Sequence, residues 1–349
     1  MSADQLSTDN IWNTFAMFLR TITRGCVTAM RLVQFEDSFG RRVGVEIKEN
    51  GDIVDLCRGN AKIPNNMRSF IECGNDALIA AKSVVDGGAH IIHRESVKIV
   101  APIYNPDKVL CIGMNYIDHC LEQNAPVPEV PVIFNKFPSC IIGPTDDLPF
   151  PEETEELDWE VELTIVIGKD AKRVPESEAM NYIFGYTVAH DVSARDWQLK
   201  PGRNGGQWVI GKAMDGFCPL GPAIVTKEAL NDPHNLGLRC RVNGVTKQDS
   251  NTNQLVHKSA AVVSFISRFM TLKAGDLILT GTPPGVGVFR KPPEFLKNPT
   301  IPSFHRSISE ASNVATLLKQ VIQLIQLHIR ISNVPVLSVP YKCWKRPIS

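Results

Sequence analysis

The sequence lacks an excess of either charge. Its 349 residues hold 37 Lys and Arg against 37 Asp and Glu, which gives a formal net charge of zero. A protein that binds phosphate backbones usually carries a basic excess, and one that binds anionic membranes needs a polybasic patch. We therefore expect no nucleic acid partner. No apolar run reaches the roughly 18 residues that a membrane-spanning helix needs, so we also expect no membrane span.

The chain also lacks the marks of a secreted protein. Its nine cysteines are odd in number and scattered, without a C-x-x-C pair, and no Asn-x-Ser/Thr acceptor with a permitted middle residue occurs. Such cysteines are typical of reduced, intracellular thiols. From Met17 to Leu32 the chain bears arginine and hydroxyl side chains and no acid, as transit peptides do, although Asp4 and Asp9 oppose that pattern. We interpret residues 1–30 as a mitochondrial targeting segment, with a cytoplasmic location as the alternative.

The sequence after residue 30 predicts two folded parts. In residues 31–102, apolar alternation on both sides of Asn50-Gly51 predicts a β-hairpin. Helical spacing follows from Met67 to Val85, interrupted at Gly74. These features indicate a small α+β N-terminal domain. Residues 103–297 hold short β-rich runs separated by Gly and Pro turns, which indicate a larger, mostly β domain.

The last 52 residues differ in charge from the rest. Residues 298–349 hold six basic side chains and one acidic one, so this tail carries +5 and the remainder −5. Between Val314 and Gln326, apolar residues interleave with Lys and Gln at the spacing of an amphipathic helix. Because the polar face is mostly Gln, we favour a helix that packs on protein over one that lies on a membrane.

Three carboxylates are candidates for metal binding. In a strand over Trp159–Ile167, Glu160 and Glu162 would share one face, and apolar residues would occupy the other. Two buried, unpaired carboxylates are costly, and a hard cation with oxygen ligands would relieve that cost. Asp191 follows another apolar run, where side chains often bind ligands. The alternatives are a solvated strand face for the two glutamates and a turn or helix cap for Asp191.

Other groups could take part in proton transfer. His119 and Glu122, three residues apart on a predicted helix, would share one face, and the glutamate could orient the imidazole as a base. A surface pair is the alternative. Lys212 could stabilise an enolate or be solvated. The turn from Thr280 to Gly287 offers hydroxyls and backbone amides that could bind a carboxylate.

Together these motifs resemble the fumarylacetoacetate hydrolase superfamily. The runs WEVEL, HDVSARDWQ, CPLGP after Gly-Lys, and LTGTPPGVGVFRKPP occur in this order between residues 109 and 297, and jointly they are specific. The resemblance implies an α+β fold, namely a mixed β-roll with a small N-terminal domain, often assembled as a homodimer. The chain departs from the family after Lys297, where NPTIPSFHRSISEASNV replaces an acidic, β-rich segment.

The resemblance also implies a chemistry. The implied metal ligands are Glu160, Glu162 and Asp191, usually for Mg²⁺, with Mn²⁺ or Ca²⁺ as alternatives, and the implied catalytic groups are His119, Glu122 and Lys212. Arg195, Gln198 and Thr282 match substrate-contacting positions. We expect enolate chemistry on small 2-oxo dicarboxylates, and the reaction that we favour is the keto-enol tautomerisation of oxaloacetate. The alternatives are acylpyruvate or fumarylacetoacetate hydrolysis, oxaloacetate decarboxylation, and a pseudoenzyme whose tail recruits a partner.

Overall fold

The structure is a computed structural model that describes residues 29–203, 206–297, 304–308 and 325–329. Its strands are β1 (Arg31–Asp37), β2 (Gly40–Glu46), β3 (Ile53–Asp55), β4 (Ile91–Ile92), β5 (Lys98–Val100), β6 (Val109–Gly113), β7 (Val132–Lys136), β8 (Ile141–Ile142), β9 (Leu157–Asp158), β10 (Val161–Ile167), β11 (Ile183–His190), β12 (Ser193–Ala194), β13 (Cys218–Pro219), β14 (Ala223–Thr226), β15 (Gly237–Val242), β16 (Val245–Asn251), β17 (Leu277–Leu279), β18 (Phe304–Ile308) and β19 (Ile325–Ile329). The α-helices are α1 (Leu56–Gly59), α2 (Met67–Glu72), α3 (Gly74–Asp86), α4 (Ile117–Glu122), α5 (Glu176–Ala179), α6 (Arg195–Leu199), α7 (Trp208–Lys212) and α8 (Ser259–Phe269).

One large mixed sheet organises the molecule. Its strand order is β4-β3-β2-β1-β14-β11-β10-β17-β6-β7, and β5 also pairs with β1. The pairs are antiparallel except for β17 with β6, which is parallel. Every residue of β10 and of β11 is buried, because these central strands are covered on both faces. The mixed α+β class predicted from the sequence is confirmed.

The predicted N-terminal elements are confirmed, and they join the large sheet. The turn between β2 and β3 contains Asn50, whose φ of +55° lies in the left-handed region that such turns favour. The predicted helix is two helices, because α2 ends before Cys73 and α3 begins at Gly74. Strand β1 pairs with β14, so residues from both predicted domains share one sheet. The boundary at residue 102 stays a prediction.

The amphipathic helix predicted in the tail is wrong at its C-terminal end, at Ile325 and Gln326. The predicted amphipathic helix from Val314 lies outside the described residues as far as position 324, and at Ile325 the structure has a strand instead. Strand β19 pairs in parallel with β15 and antiparallel with β18. The sequence Ile-Gln-Leu-His-Ile alternates with period two, which suits a strand better than a helix. Among the helices of the described ranges, none is long and apolar enough to cross a membrane.

Candidate active site

The three predicted carboxylates meet where one central strand begins and its neighbour ends. Glu160 immediately precedes β10, Glu162 lies within it, and Asp191 follows β11. Antiparallel pairing brings these positions together, and the backbone N–H of Asp191 donates to the Glu160 carbonyl at 2.9 Å. One carboxylate oxygen from each residue lies within 4.8 Å of those of the other two, and all three side chains are buried. The solvated-face and turn alternatives are therefore wrong.

Two buried lysines contact the cluster. The Lys212 ammonium lies 2.7 Å from Glu160 Oε2 and 2.9 Å from Asp191 Oδ2. Lys136, from β7, lies 2.6 Å from the other oxygen of Asp191 and donates to the carbonyls of Val192 and Lys212. Asp191 therefore has one lysine at each carboxylate oxygen. Lys212 is buried, so its predicted alternative as a solvated side chain is wrong.

Burial and charge act differently on the two glutamates. Burial raises the pKa of Glu162 well above its usual range, and the charges of Asp191 and Glu160 raise it further. Burial also opposes ionisation of Glu160, but Lys212 and Arg195 outweigh it and hold the pKa of Glu160 below its usual value. Burial disfavours the charged form of Lys212 too, yet Asp191 and Glu160 outweigh it and raise the pKa of Lys212. Of the two glutamates, Glu162 is thus the one whose buried negative charge is not offset by a cation in contact with it.

The glycine-rich turn binds carboxylates of the protein itself. Gly281 N–H donates to Glu162 Oε2 at 2.7 Å, and Gly287 and Val288 N–H donate to Asp158 at 2.6 and 3.0 Å. Gly281 has a φ of +102°, and a Cβ there would lie 2.9 Å from the Asn115 Cβ, so glycine is required. The carboxylate cradle predicted from the sequence exists, and these amides bind site residues.

The His119 and Glu122 pair forms as predicted, on α4. His119 Nδ1 lies 2.8 Å from Glu122 Oε2, while Glu122 Oε1 accepts the Gly285 N–H at 2.8 Å. The same turn thus holds both the triad and the dyad. His119 is 6% exposed, so the predicted alternative of a surface pair is wrong.

The three residues expected to contact substrate lie at the site and bind protein groups. Arg195 donates to Asp158 Oδ2 at 2.8 Å, Glu160 Oε1 at 2.5 Å and Gln198 Oε1 at 2.8 Å. The Thr282 hydroxyl donates to the Val161 carbonyl at 3.0 Å and accepts from the Gln248 amide at 2.8 Å. Their substrate contacts stay a prediction.

Sequence reasoning missed three buried residues of the site, which are Lys136, Asp158 and Gln248. Asp158 binds both Arg195 and the glycine-rich turn. The Gln248 carbonyl oxygen accepts the Val161 N–H at 2.9 Å at the start of β10. Asp158 is two residues before Glu160, so strand spacing could have placed it on the same face. Nothing local distinguishes Lys136 or Gln248 from surface residues.

The residues present fit a divalent cation. Glu160, Glu162, Asp191 and Asp158 are four buried carboxylates, and the three cations in contact with them are Lys136, Lys212 and Arg195. Within the described part of the chain, Glu162 has no ion-pair partner, which leaves negative charge to be balanced. Carboxylate oxygens are the ligands that Mg²⁺, Mn²⁺ and Ca²⁺ prefer.

The fold and site define an enzyme with a carboxylate cluster able to bind a metal ion and a histidine–glutamate pair beside it. Residues 108–301 match the model of the fumarylacetoacetate (FAA) hydrolase C-terminal family. The chain belongs to this family, as the sequence motifs predicted.

Named relatives support this placement. The chain is 57% identical over 280 residues to the mitochondrial oxaloacetate tautomerase fahd2 of Xenopus laevis, covering 80% of this chain and 87% of that one. It is 51% identical to the mitochondrial oxaloacetate tautomerase FAHD2A of Homo sapiens, and the match covers 77% of this chain and 85% of that one.

Solved structures agree with the fold. A fumarylacetoacetate hydrolase from Exiguobacterium antarcticum matches with a TM-score of 0.64 and 31% identity, over 86% of this chain and 99% of that one. Maleylpyruvate hydrolase from Sphingobium sp. SYK-6, in complex with manganese(II) and pyruvate, matches with a TM-score of 0.62 and 31% identity. The match covers 80% of this chain and 94% of that one.

Proposed function

We propose that this chain is a mitochondrial oxaloacetate tautomerase, which interconverts the keto and enol forms of oxaloacetate. The Xenopus laevis and Homo sapiens relatives bear that name at 57% and 51% identity. The observation that carries the proposal is the His119–Glu122 pair beside the buried triad of Glu160, Glu162 and Asp191. A small 2-oxo acid is the substrate.

The triad holds a divalent cation, for which we propose Mg²⁺, with Mn²⁺ or Ca²⁺ as alternatives. Manganese is the ion in the related maleylpyruvate hydrolase. When bound, the cation supplies positive charge that stabilises negative charge on the 2-oxo oxygen of the substrate. Lys212, buried against Glu160 and Asp191, adds a positive charge in the same region. Charge stabilisation is strong here because the site is shielded from water.

His119 moves the proton. Nδ1–H donates a hydrogen bond to Glu122 Oε2 over 2.8 Å, and the Gly285 N–H donates to Glu122 Oε1, so the ring orientation is set before substrate binds. In the keto-to-enol direction, His119 Nε2 takes the proton from C3 and then gives it to the 2-oxo oxygen, so the ring returns to its neutral form. In the reverse direction both transfers reverse. No carbon–carbon bond breaks in either direction.

Arg195 and Gln198 orient a carboxylate of the substrate in this proposal, and Thr282 supports the site beside them. A guanidinium has five N–H donors, and three of those of Arg195 bind Asp158, Glu160 and Gln198. The remaining donors suit a carboxylate, which Arg binds in a planar, two-point fashion. Arg195 is 4% exposed and lies directly after β12, at the first residue of α6.

Carbon–carbon hydrolysis is the second candidate, since maleylpyruvate hydrolase shares the fold at 31% identity. To separate the two, purified protein with Mg²⁺ is mixed with enol-oxaloacetate and, separately, with an acylpyruvate, and both enol absorbance and pyruvate release are followed. Faster enol decay without pyruvate supports the tautomerase. Pyruvate from the acylpyruvate identifies a hydrolase, and pyruvate from oxaloacetate identifies a decarboxylase. No acceleration of any reaction supports a pseudoenzyme that acts through residues 298–349.

We also propose a homodimer. A chain of 38.6 kDa would then give about twice that mass by light scattering. A monomer mass at micromolar concentration would contradict this.

A further inference from the structure

Gln123, the residue after α4, covers the outer nitrogen of His119. Its side-chain Nε2 lies 2.7 Å from His119 Nε2 and 3.1 Å from Met114 Sδ. A thioether sulfur accepts hydrogen bonds and cannot donate them. The amide group that faces both the sulfur and the ring is therefore the NH₂, whose two protons serve one acceptor each.

The opposite side of the ring agrees with this assignment. Glu122 Oε1 accepts the Gly285 N–H, and Oε2 faces His119 Nδ1 at 2.8 Å. A carboxylate accepts, so Nδ1 carries the proton and the neutral ring has its lone pair at Nε2. That lone pair is the acceptor that the Gln123 NH₂ requires.

Met114 adopts an unusual backbone to take part in this contact. Its φ of +54° lies in the left-handed region, which costs a non-glycine residue energy. Cys120 Sγ donates to the Met114 carbonyl at 3.4 Å, which ties this backbone to α4. Met114 thereby presents its sulfur to the Gln123 amide.

We propose that Gln123 and Met114 are positioning residues that hold His119 as a neutral base with its lone pair at Nε2. The inference rests on the proposed function, in which Nε2 takes the C3 proton once the Gln123 NH₂ has given up its hydrogen bond to that lone pair. The carboxylates near His119 are Glu122, which faces Nδ1, and Asp118, which accepts the backbone N–H of His119, while Glu160 before β10 lies within electrostatic range.

Gln123 disfavours a proton on Nε2, because that proton would face the NH₂ and break the hydrogen bond. Rotation of the amide would present its oxygen to the protonated nitrogen. It would also turn that oxygen toward the Met114 sulfur, which has no proton to donate. Met114 therefore keeps the amide in the donor orientation.

The test is a pH titration of full-length protein labelled with ¹⁵N-histidine, without substrate, with His119 assigned from the His119→Gln variant. In the parent, Nδ1 should resonate as protonated and Nε2 as unprotonated. Gln123→Met keeps the length and loses the donor, and should raise the midpoint of His119 protonation on the order of half a pH unit. Met114→Leu should shift it in the same direction by less. Gln254→Met, at an amide whose described bond is to Asn253, is the control and should change nothing.

The acidic limb of the kcat/KM profile should move with the NMR midpoint. An unchanged midpoint in Gln123→Met, in protein that melts as the parent does, would overturn the proposal, as would a parent ring with its proton on Nε2. If Gln123→Met fails to fold, Met114→Leu carries the same test. Because the titration needs no substrate, it can fail while tautomerase activity stands, and it can succeed if oxaloacetate is the wrong substrate.

Discussion

Replacing Glu162 with glutamine should stabilise the metal-free protein and remove most of the stabilisation that a metal ion gives. Glu162 is 1% exposed and, among the described residues, its hydrogen bond is to the Gly281 N–H. In Glu162→Gln the amide oxygen can keep that bond, and its NH₂ can donate toward Asp191. The variant would leave three carboxylates facing Lys136, Lys212 and Arg195, so the metal-free cluster would be neutral.

The expected magnitudes follow from burial and mass action. Relief of an under-compensated buried group should raise the unfolding free energy of metal-free protein by about 1–3 kcal/mol. Because the pKa of Glu162 is raised in the folded state, this gain is present at high pH and shrinks as the pH falls toward about 4.3, the value in unfolded chains. Loss of a ligand should weaken metal binding by at least about 100-fold. Metal at 100 times its dissociation constant should then stabilise the parent by about 2.7 kcal/mol and the variant by far less.

Thermal melting with chelator and with graded Mg²⁺ tests both effects. Glu162→Gln should melt above the parent in chelator, and Mg²⁺ should raise the melting temperature of the parent only. Glu228→Gln, on the surface after β14, is a matched control that should keep the parent's response to Mg²⁺. An equal rise for parent and Glu162→Gln would refute the ligand assignment.

Three further outcomes are expected. His119→Gln should lower kcat by roughly 10²–10⁴ and leave metal affinity by calorimetry unchanged; a matching loss of affinity would contradict its role as base. Lys136→Met should lower the unfolding free energy measured in urea by about 3–5 kcal/mol, since it removes the buried cation at one of the two Asp191 oxygens and leaves only Lys212 at the other, and a change below about 1 kcal/mol would contradict this. Burial lowers the pKa of His234, whose neutral Nε2 accepts the Ser259 N–H at 3.1 Å, so stability should fall as the pH drops below about 6.5. His234→Ala should weaken that pH dependence, and an unchanged slope would count against it.

Local spacing was enough to predict much of the site. Glu160 and Glu162 share a strand face because side chains alternate, and His119 and Glu122 share a helix face because they are three residues apart. The N-terminal hairpin followed from the Asn50-Gly51 turn.

Other parts depend on contacts between distant segments. Lys136 reaches Asp191 from 55 positions away in the chain, and its strand alone gives no reason for burial. The Gly281 and Gly285 amides bind Glu162 and Glu122 through a turn whose partners only the sheet order defines. For the tail, helix and strand periodicities competed, and pairing with β15 decided for the strand at Ile325.

The most direct test of the account is the rate of enol-oxaloacetate loss as Mg²⁺ is added to metal-free protein, read by stopped-flow absorbance against a blank without protein. We predict saturable acceleration without pyruvate release. The half-point should equal the Mg²⁺ dissociation constant from calorimetry, and the acceleration should be lost in Glu162→Gln. The same acceleration in chelator and in Mg²⁺, or in Glu162→Gln and the parent, would contradict a tautomerase built on Glu160, Glu162 and Asp191.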